Sequence, residues 1–193
     1  MNMKLFYSVA TLILIAALGR LIPHWPNFTP ILGMAIFAGV AISNRFWSML
    51  IPIAAMVISD LVLGAMFGTE YLFHSTQLVV YGSIVLVAAY GRLFTNASVV
   101  KTTFLGGTVS ALAFYLITNT AVWLDGTLYP STIDGLGMAL AAGLQFYPNG
   151  GNFLLNGVVS TWISTAILLT VYAAIQRIVK KTETEVTIPS HRH

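Results

Sequence analysis

The spacing of apolar runs constrains this chain more than any other feature. Runs close to the roughly 20 residues that a helix needs to cross hydrocarbon follow one another from residue 5 to residue 179, interrupted only by short polar stretches. Six segments predict membrane-crossing helices: residues 5–22, 28–42, 46–68, 77–94, 101–124 and 152–179. Charged residues make up only 8% of the 193 and hydrophobic ones 57%, against about 25% charged in soluble domains. The expectation is therefore an all-α integral membrane protein of about six transmembrane helices. Residues 1–178 form its single domain and residues 179–193 a disordered cytoplasmic tail.

Two segments depart from the simple pattern. Residues 28–42 are short for a span, and Ala35, Gly39 and Ser43 recur every four positions, a spacing that lets another helix approach closely. This helix is expected inside the bundle, with its small-residue face available to a partner. Residues 132–147 are Gly/Ala-rich and too short to span, and read as a helix at the interface or dipping in from one side. The first run ends Ala17-Leu18-Gly19, like a signal-peptide cleavage site, but its length favours an uncleaved helix.

Lys and Arg in short loops mark the cytoplasmic side. With the N-terminus inside, Lys4, Arg45, Arg92, Lys101, Arg177, Lys180, Lys181 and Arg192 are cytoplasmic and only Arg20 is outside. Both termini are thus expected in the cytoplasm of a cell whose inner membrane holds the chain. The cations lie singly between apolar runs, so the net charge of +3 makes no nucleic-acid surface. With no cysteine, disulfides, thiolate metal sites and cysteine nucleophiles are excluded.

The polar residues gather on the outer side. The first outer loop, Arg20-Leu21-Ile22-Pro23-His24-Trp25-Pro26-Asn27-Phe28-Thr29-Pro30, holds three prolines that remove backbone donors and restrict the residues before them. It should be stiff and should fix His24, Trp25 and Asn27 as binding groups. An interfacial anchor explains Trp25, and a helix cap His24, equally simply. Asp60 lies in the outer half of the third span, where a carboxylate near the bilayer centre costs roughly 2.5–3.5 kcal/mol. Either a site role or a buried pair with Arg20 answers that cost, and both can hold. The second outer loop supplies Glu70, Tyr71, His74, Ser75 and Thr76, with Tyr81 one turn further on. The His and acid spacing matches no zinc motif, so neither a metal nor a cofactor is expected. Asn119 and Trp123 are four apart on one helix face. The loop from Gln145 to Asn152 adds amides and aromatics without Lys or Arg, a set suited to a neutral, polar, ring-containing ligand.

The segment from Arg20 to Gly39, with Ser59-Asp60-Leu61-Val62-Leu63-Gly64, Phe73-His74-Ser75-Thr76, Tyr81, Thr118-Asn119, Trp123 and Tyr129-Pro130, resembles an uncharacterised bacterial family of transport proteins. That family is similar in turn to the substrate-binding S-components of energy-coupling-factor (ECF) vitamin importers, including the solitary cobalamin transporter. The resemblance covers about residues 5–178. It implies a six-helix S-component bundle closing over a vitamin-like ligand, with His24, Asp60 and Tyr81 at the site. The cobalamin transporter's cobalt-binding cysteine has no counterpart in His74-Ser75-Thr76-Gln77, which departs from cobalamin in particular.

Three functions follow for comparison. The first is an importer subunit for a small polar nutrient, a vitamin or precursor, working with ECF-type transmembrane and ATPase subunits, because the chain has no G-x-x-x-x-G-K-S/T phosphate loop. The second is an intramembrane enzyme using His24, Asp60 or His74 as acid or base. The third is a ligand-free membrane scaffold, which predicts no concave pocket beneath the outer loops.

Overall fold

The computed structural model describes residues 3–69, 72–73 and 75–187, with side chains described through residue 182. Eight helices and one two-stranded hairpin follow in chain order: α1 (Met3–Leu18), α2 (Ile31–Ala41), α3 (Arg45–Phe67), α4 (Gln77–Gly91), α5 (Val99–Lys101), α6 (Gly107–Asp125), α7 (Ile133–Ala142), β1 (Phe146–Tyr147), β2 (Gly151–Asn152) and α8 (Phe153–Thr187). A π-helical turn over Thr102–Gly106 joins α5 to α6, so the two form one rod, Val99–Asp125. Five helical segments are long and apolar enough to cross a membrane. The protein is therefore a predominantly helical, multi-pass membrane bundle.

The helix boundaries follow local chemistry. Asn44, Ser98, Thr132 and Asn152 each offer a side-chain oxygen to a backbone N–H in the first turn of the helix they precede, satisfying donors that have no intrahelical partner. Pro30 immediately precedes α2, so the second span starts at Ile31 and not at Phe28. Its fixed φ suits a helix entry, and the N–H it lacks would be orphaned there anyway. Gly126, at φ 72°, ends α6.

The short second helix is the axis of the bundle. At 11 residues it rises only about 16 Å, half the roughly 30 Å hydrocarbon thickness, yet ten of those residues are buried. Helices α1, α3, α4, α6 and α8 all pack on it, so lipid does not have to be spanned by this segment. The small residues serve this packing. A methyl group at Gly39 would overlap the Ala88 carbonyl oxygen on α4, and one at Gly33 would overlap Ser164 on α8. The face expected to meet a partner is thus already occupied by the chain's own helices.

Residues 132–147 hold the short, non-spanning helix expected there, α7, over a narrower range, followed by the first strand of a hairpin; α7 is held against α6 by a hydrogen bond from the Tyr115 hydroxyl to the Leu140 carbonyl. One further expectation changes. Helix α8 does not stop at Val179 but continues unbroken to Thr187, so much of the expected tail is helical. Residues 188–193 lie outside the described residues.

Candidate functional site

At the end of the bundle opposite Arg45 and Arg92, the loop from Ile22 to Pro30 folds over the helices. Its geometry follows from its sequence. The Phe28 N–H donates to the Trp25 carbonyl at 2.9 Å, with Pro26 at the second turn position and Asn27 at the third with φ 60°, the pattern of a type II turn. Asparagine is one of the few non-glycine residues that adopts this conformation readily. Two side chains of α8 hold the turn down. Asn156 Nδ2 donates to the carbonyls of Pro26 (2.9 Å) and Gly150 (2.7 Å), and Ser160 Oγ donates to Asn27 O at 3.3 Å.

Beneath the loop is a cavity of about 490 Å³, within the roughly 300–1,000 Å³ typical of small-molecule sites. Its walls come from α2, α3, α4, α6 and α8 and are mainly apolar, with Leu63, Phe67, Phe114 and Phe153 among them. Arg20, His24, Asn27, Thr29 and Ser160 bring polar groups to it. The His24 Nδ1–H donates to the Trp25 carbonyl at 2.9 Å. A carbonyl can only accept, which places the proton of the neutral ring on Nδ1 and leaves Nε2 for another partner.

Arg20 lies in the single 3₁₀ turn that extends α1. Its Nη1 makes an ion pair with Asp60 and also donates to Ser59 Oγ at 2.7 Å and Met56 Sδ at 3.2 Å. The other Asp60 oxygen accepts from the Tyr81 hydroxyl at 2.6 Å, and that hydroxyl accepts from Gln77 Nε2 at 3.1 Å. The Asp60 side chain is 4% exposed and that of Arg20 14%. This network answers the cost of a carboxylate at membrane depth: cation and hydroxyl together satisfy both oxygens.

The site residues expected from sequence therefore divide. His24 and Asn27 line the cavity, joined by Arg20. Asp60 and Tyr81 are one layer behind, reaching it through Arg20. Trp25 lines a neighbouring groove. Asn119 and Trp123 are elsewhere: Asn119 Nδ2 donates to the Tyr115 carbonyl of its own helix at 2.8 Å, and Trp123 Nε1 to the Pro130 carbonyl at 2.9 Å. His74, like Glu70 and Tyr71, lies outside the described residues. Among the described residues no three His, Asp or Glu side chains cluster as a metal site would require. Sequence reading passed over Ser160 as a site residue, although Asn156, Ser160 and Ser164 stand four apart in the largely apolar first half of α8, which puts them on one face.

This is a multi-pass helical membrane protein with an internal cavity under a proline-braced loop. The chain belongs to a family of unknown function, DUF6580, which matches residues 2–184. No curated protein and no solved structure matches it.

Proposed function

We propose that this protein is a substrate-binding transport protein of the cell inner membrane, S-component-like, that takes up a small polar nutrient such as a vitamin or its precursor through the loop-covered cavity. The observation that supports this reading is the cavity itself: about 490 Å³, largely apolar, with a few polar groups gathered on one side, as ligand sites are built. A scaffold has no need of it. The positive-inside rule puts Arg45, Arg92 and Lys101 in the cytoplasm with both termini, and so opens the cavity end to the outside. In this reading the ATPase and its membrane subunit are separate chains, and lipid surrounds the bundle.

The test is thermal unfolding of the detergent-solubilised protein against vitamins and their precursors, cobalamin and cobinamide included. A ligand at about 100 times its Kd should stabilise the fold by about 2.7 kcal/mol. The same ligand should give a much smaller shift with His24→Ala, and with Asn27→Gly, which removes the amide but tolerates the positive φ. An equal shift in all three proteins would place binding outside the cavity, and no shift from any compound would count against the importer reading.

A further inference from the structure

We propose that the cavity takes an anionic amphiphile, a single hydrocarbon chain ending in a carboxylate, which enters sideways from the bilayer with its chain in the groove between α1 and α8. This rests on the binding function proposed above and goes beyond it in the class of ligand bound.

The head-group argument starts at Arg20. Every hydrogen bond it makes among the described residues leaves from Nη1. Asp60 neutralises that edge but is not on the cavity wall, whereas Arg20 is. No described residue accepts from Nη2 or Nε, and a planar pair of N–H groups matches two carboxylate oxygens. Among the described residues no Asp or Glu lines the cavity to repel an anion. Thr29 brings a hydroxyl to the same space.

The chain argument starts from the wall behind His24. A second hollow of about 920 Å³ lies there, bounded by Leu12, Ile15 and Ala16 of α1 and by Ile163, Ile167 and Val171 of α8. Ile22, Pro23, His24, Thr29 and Ser160 line both hollows, so the two adjoin at these residues. Along α8 the groove runs from Ser160 to Val171, about 16 Å, or close to one leaflet of a roughly 30 Å hydrocarbon core. Ile15, Ile163 and Ile167 are exposed and would face acyl chains in a membrane. The groove is polar only at the end it shares with the cavity, apart from Ser164, whose hydroxyl bonds the Ser160 carbonyl at 2.6 Å. An apolar slot one leaflet long, ending beside an arginine fork, fits one chain with an acidic head.

The experiment uses the full-length protein in phosphatidylcholine nanodiscs, a diazirine-bearing dodecanoate as photoprobe, and peptide mapping of the labelled sites. Labelling should concentrate on α1 and α8 within the groove. Dodecanoate should compete with it, while dodecanol and hexanoate should compete roughly tenfold or more weakly, since each lacks one half of the recognition. The paired variant Arg20→Gln/Asp60→Asn should lose the preference for acid over alcohol. Arg20→Lys, which retains a cation for Asp60 but not the fork, should lose much of it and serves where the paired variant does not fold. Equal competition by dodecanol, labelling spread over all lipid-facing helices, or an unchanged preference in Arg20→Lys would reduce the groove to ordinary lipid contact and overturn the proposal. Hexanoate competing as well as dodecanoate would overturn the amphiphile while leaving cavity binding intact. No competition by any acid would likewise overturn the proposal, whereas the importer reading itself fails only if no compound of the thermal-unfolding panel binds.

Discussion

Two arginines sit at opposite ends of the bundle and solve different problems. Arg92, just past α4, donates from Nη1 to the Ile42 carbonyl (3.1 Å) and Ser48 Oγ (3.2 Å), and from Nη2 to the Ser43 carbonyl (3.0 Å). Among the described residues it meets no acid there. It sits where α2 ends, on carbonyls that have no helical partner and carry the negative end of the helix dipole. Both terminal nitrogens are committed to closing the structure. Arg20 instead commits one nitrogen to a buried acid and presents the rest of its guanidinium to a hollow. The same side chain is a clamp where its acceptors are backbone and a candidate recognition element where its partner is an acid standing behind it.

The comparison breaks most sharply if Asp60 is removed. Asp60→Leu leaves Arg20 largely buried without its counter-charge, and losing one partner of a buried pair costs about 3–5 kcal/mol. Replacing both, Arg20→Met with Asp60→Leu, should restore most of the loss, because an apolar pair of similar volume no longer has to be desolvated as charges. Equilibrium unfolding of wild type, single and paired variants in one detergent measures this. A paired variant as unstable as Asp60→Leu would mean that the two residues support the fold through separate contacts.

A second test concerns what lies between the arginines. Gly39→Ala on α2 drives a methyl into the Ala88 carbonyl of α4, and backbone cannot rotate away, so a loss of about 1–3 kcal/mol is expected. Gly82, also on α4, has open space where a methyl would stand, with nothing within 4 Å. Gly82→Ala should be neutral or gain about 0.5–1 kcal/mol from the helix entropy that glycine costs. Similar thermal shifts for the two would mean that α2 and α4 are not in close contact in the membrane.

The long spans were legible from composition and length, since hydrocarbon imposes both. The depth of α2 was legible from Ala35 and Gly39, but its partner was not: a small-residue face says that something approaches closely and not whether it comes from the same chain. The end of α8 was misread because Lys180, Lys181 and Glu183 are polar without being helix breakers. At the site, the prolines foretold a rigid loop, and the Arg20–Asp60 pairing was foreseen as one of two answers to a buried charge. What could not be read was direction. Asn119 and Trp123 share a helix face, yet their side chains bond carbonyls nearby and stay off the cavity, because a periodicity gives faces and not the neighbours that fill them.

The smallest effect belongs to the Arg92 end, where the fold lies near the polar interface. Arg92→Met removes three hydrogen bonds, but the Ile42 and Ser43 carbonyls lie next to Ser43 and Asn44, both exposed, and water can take the place of the guanidinium there. A net cost of about 1 kcal/mol is expected, well below that of Asp60→Leu even though more hydrogen bonds are lost. Arg92→Lys should recover only part of it, since one ammonium cannot reach all three oxygens in the fork geometry. Neither variant should alter ligand-induced stabilisation at the cavity, because no Arg92 contact reaches it. If Arg92→Met instead costs as much as Asp60→Leu, then the fold depends on the clamped end of α2 as strongly as on the Arg20–Asp60 ion pair, and the two arginines are structural in the same sense.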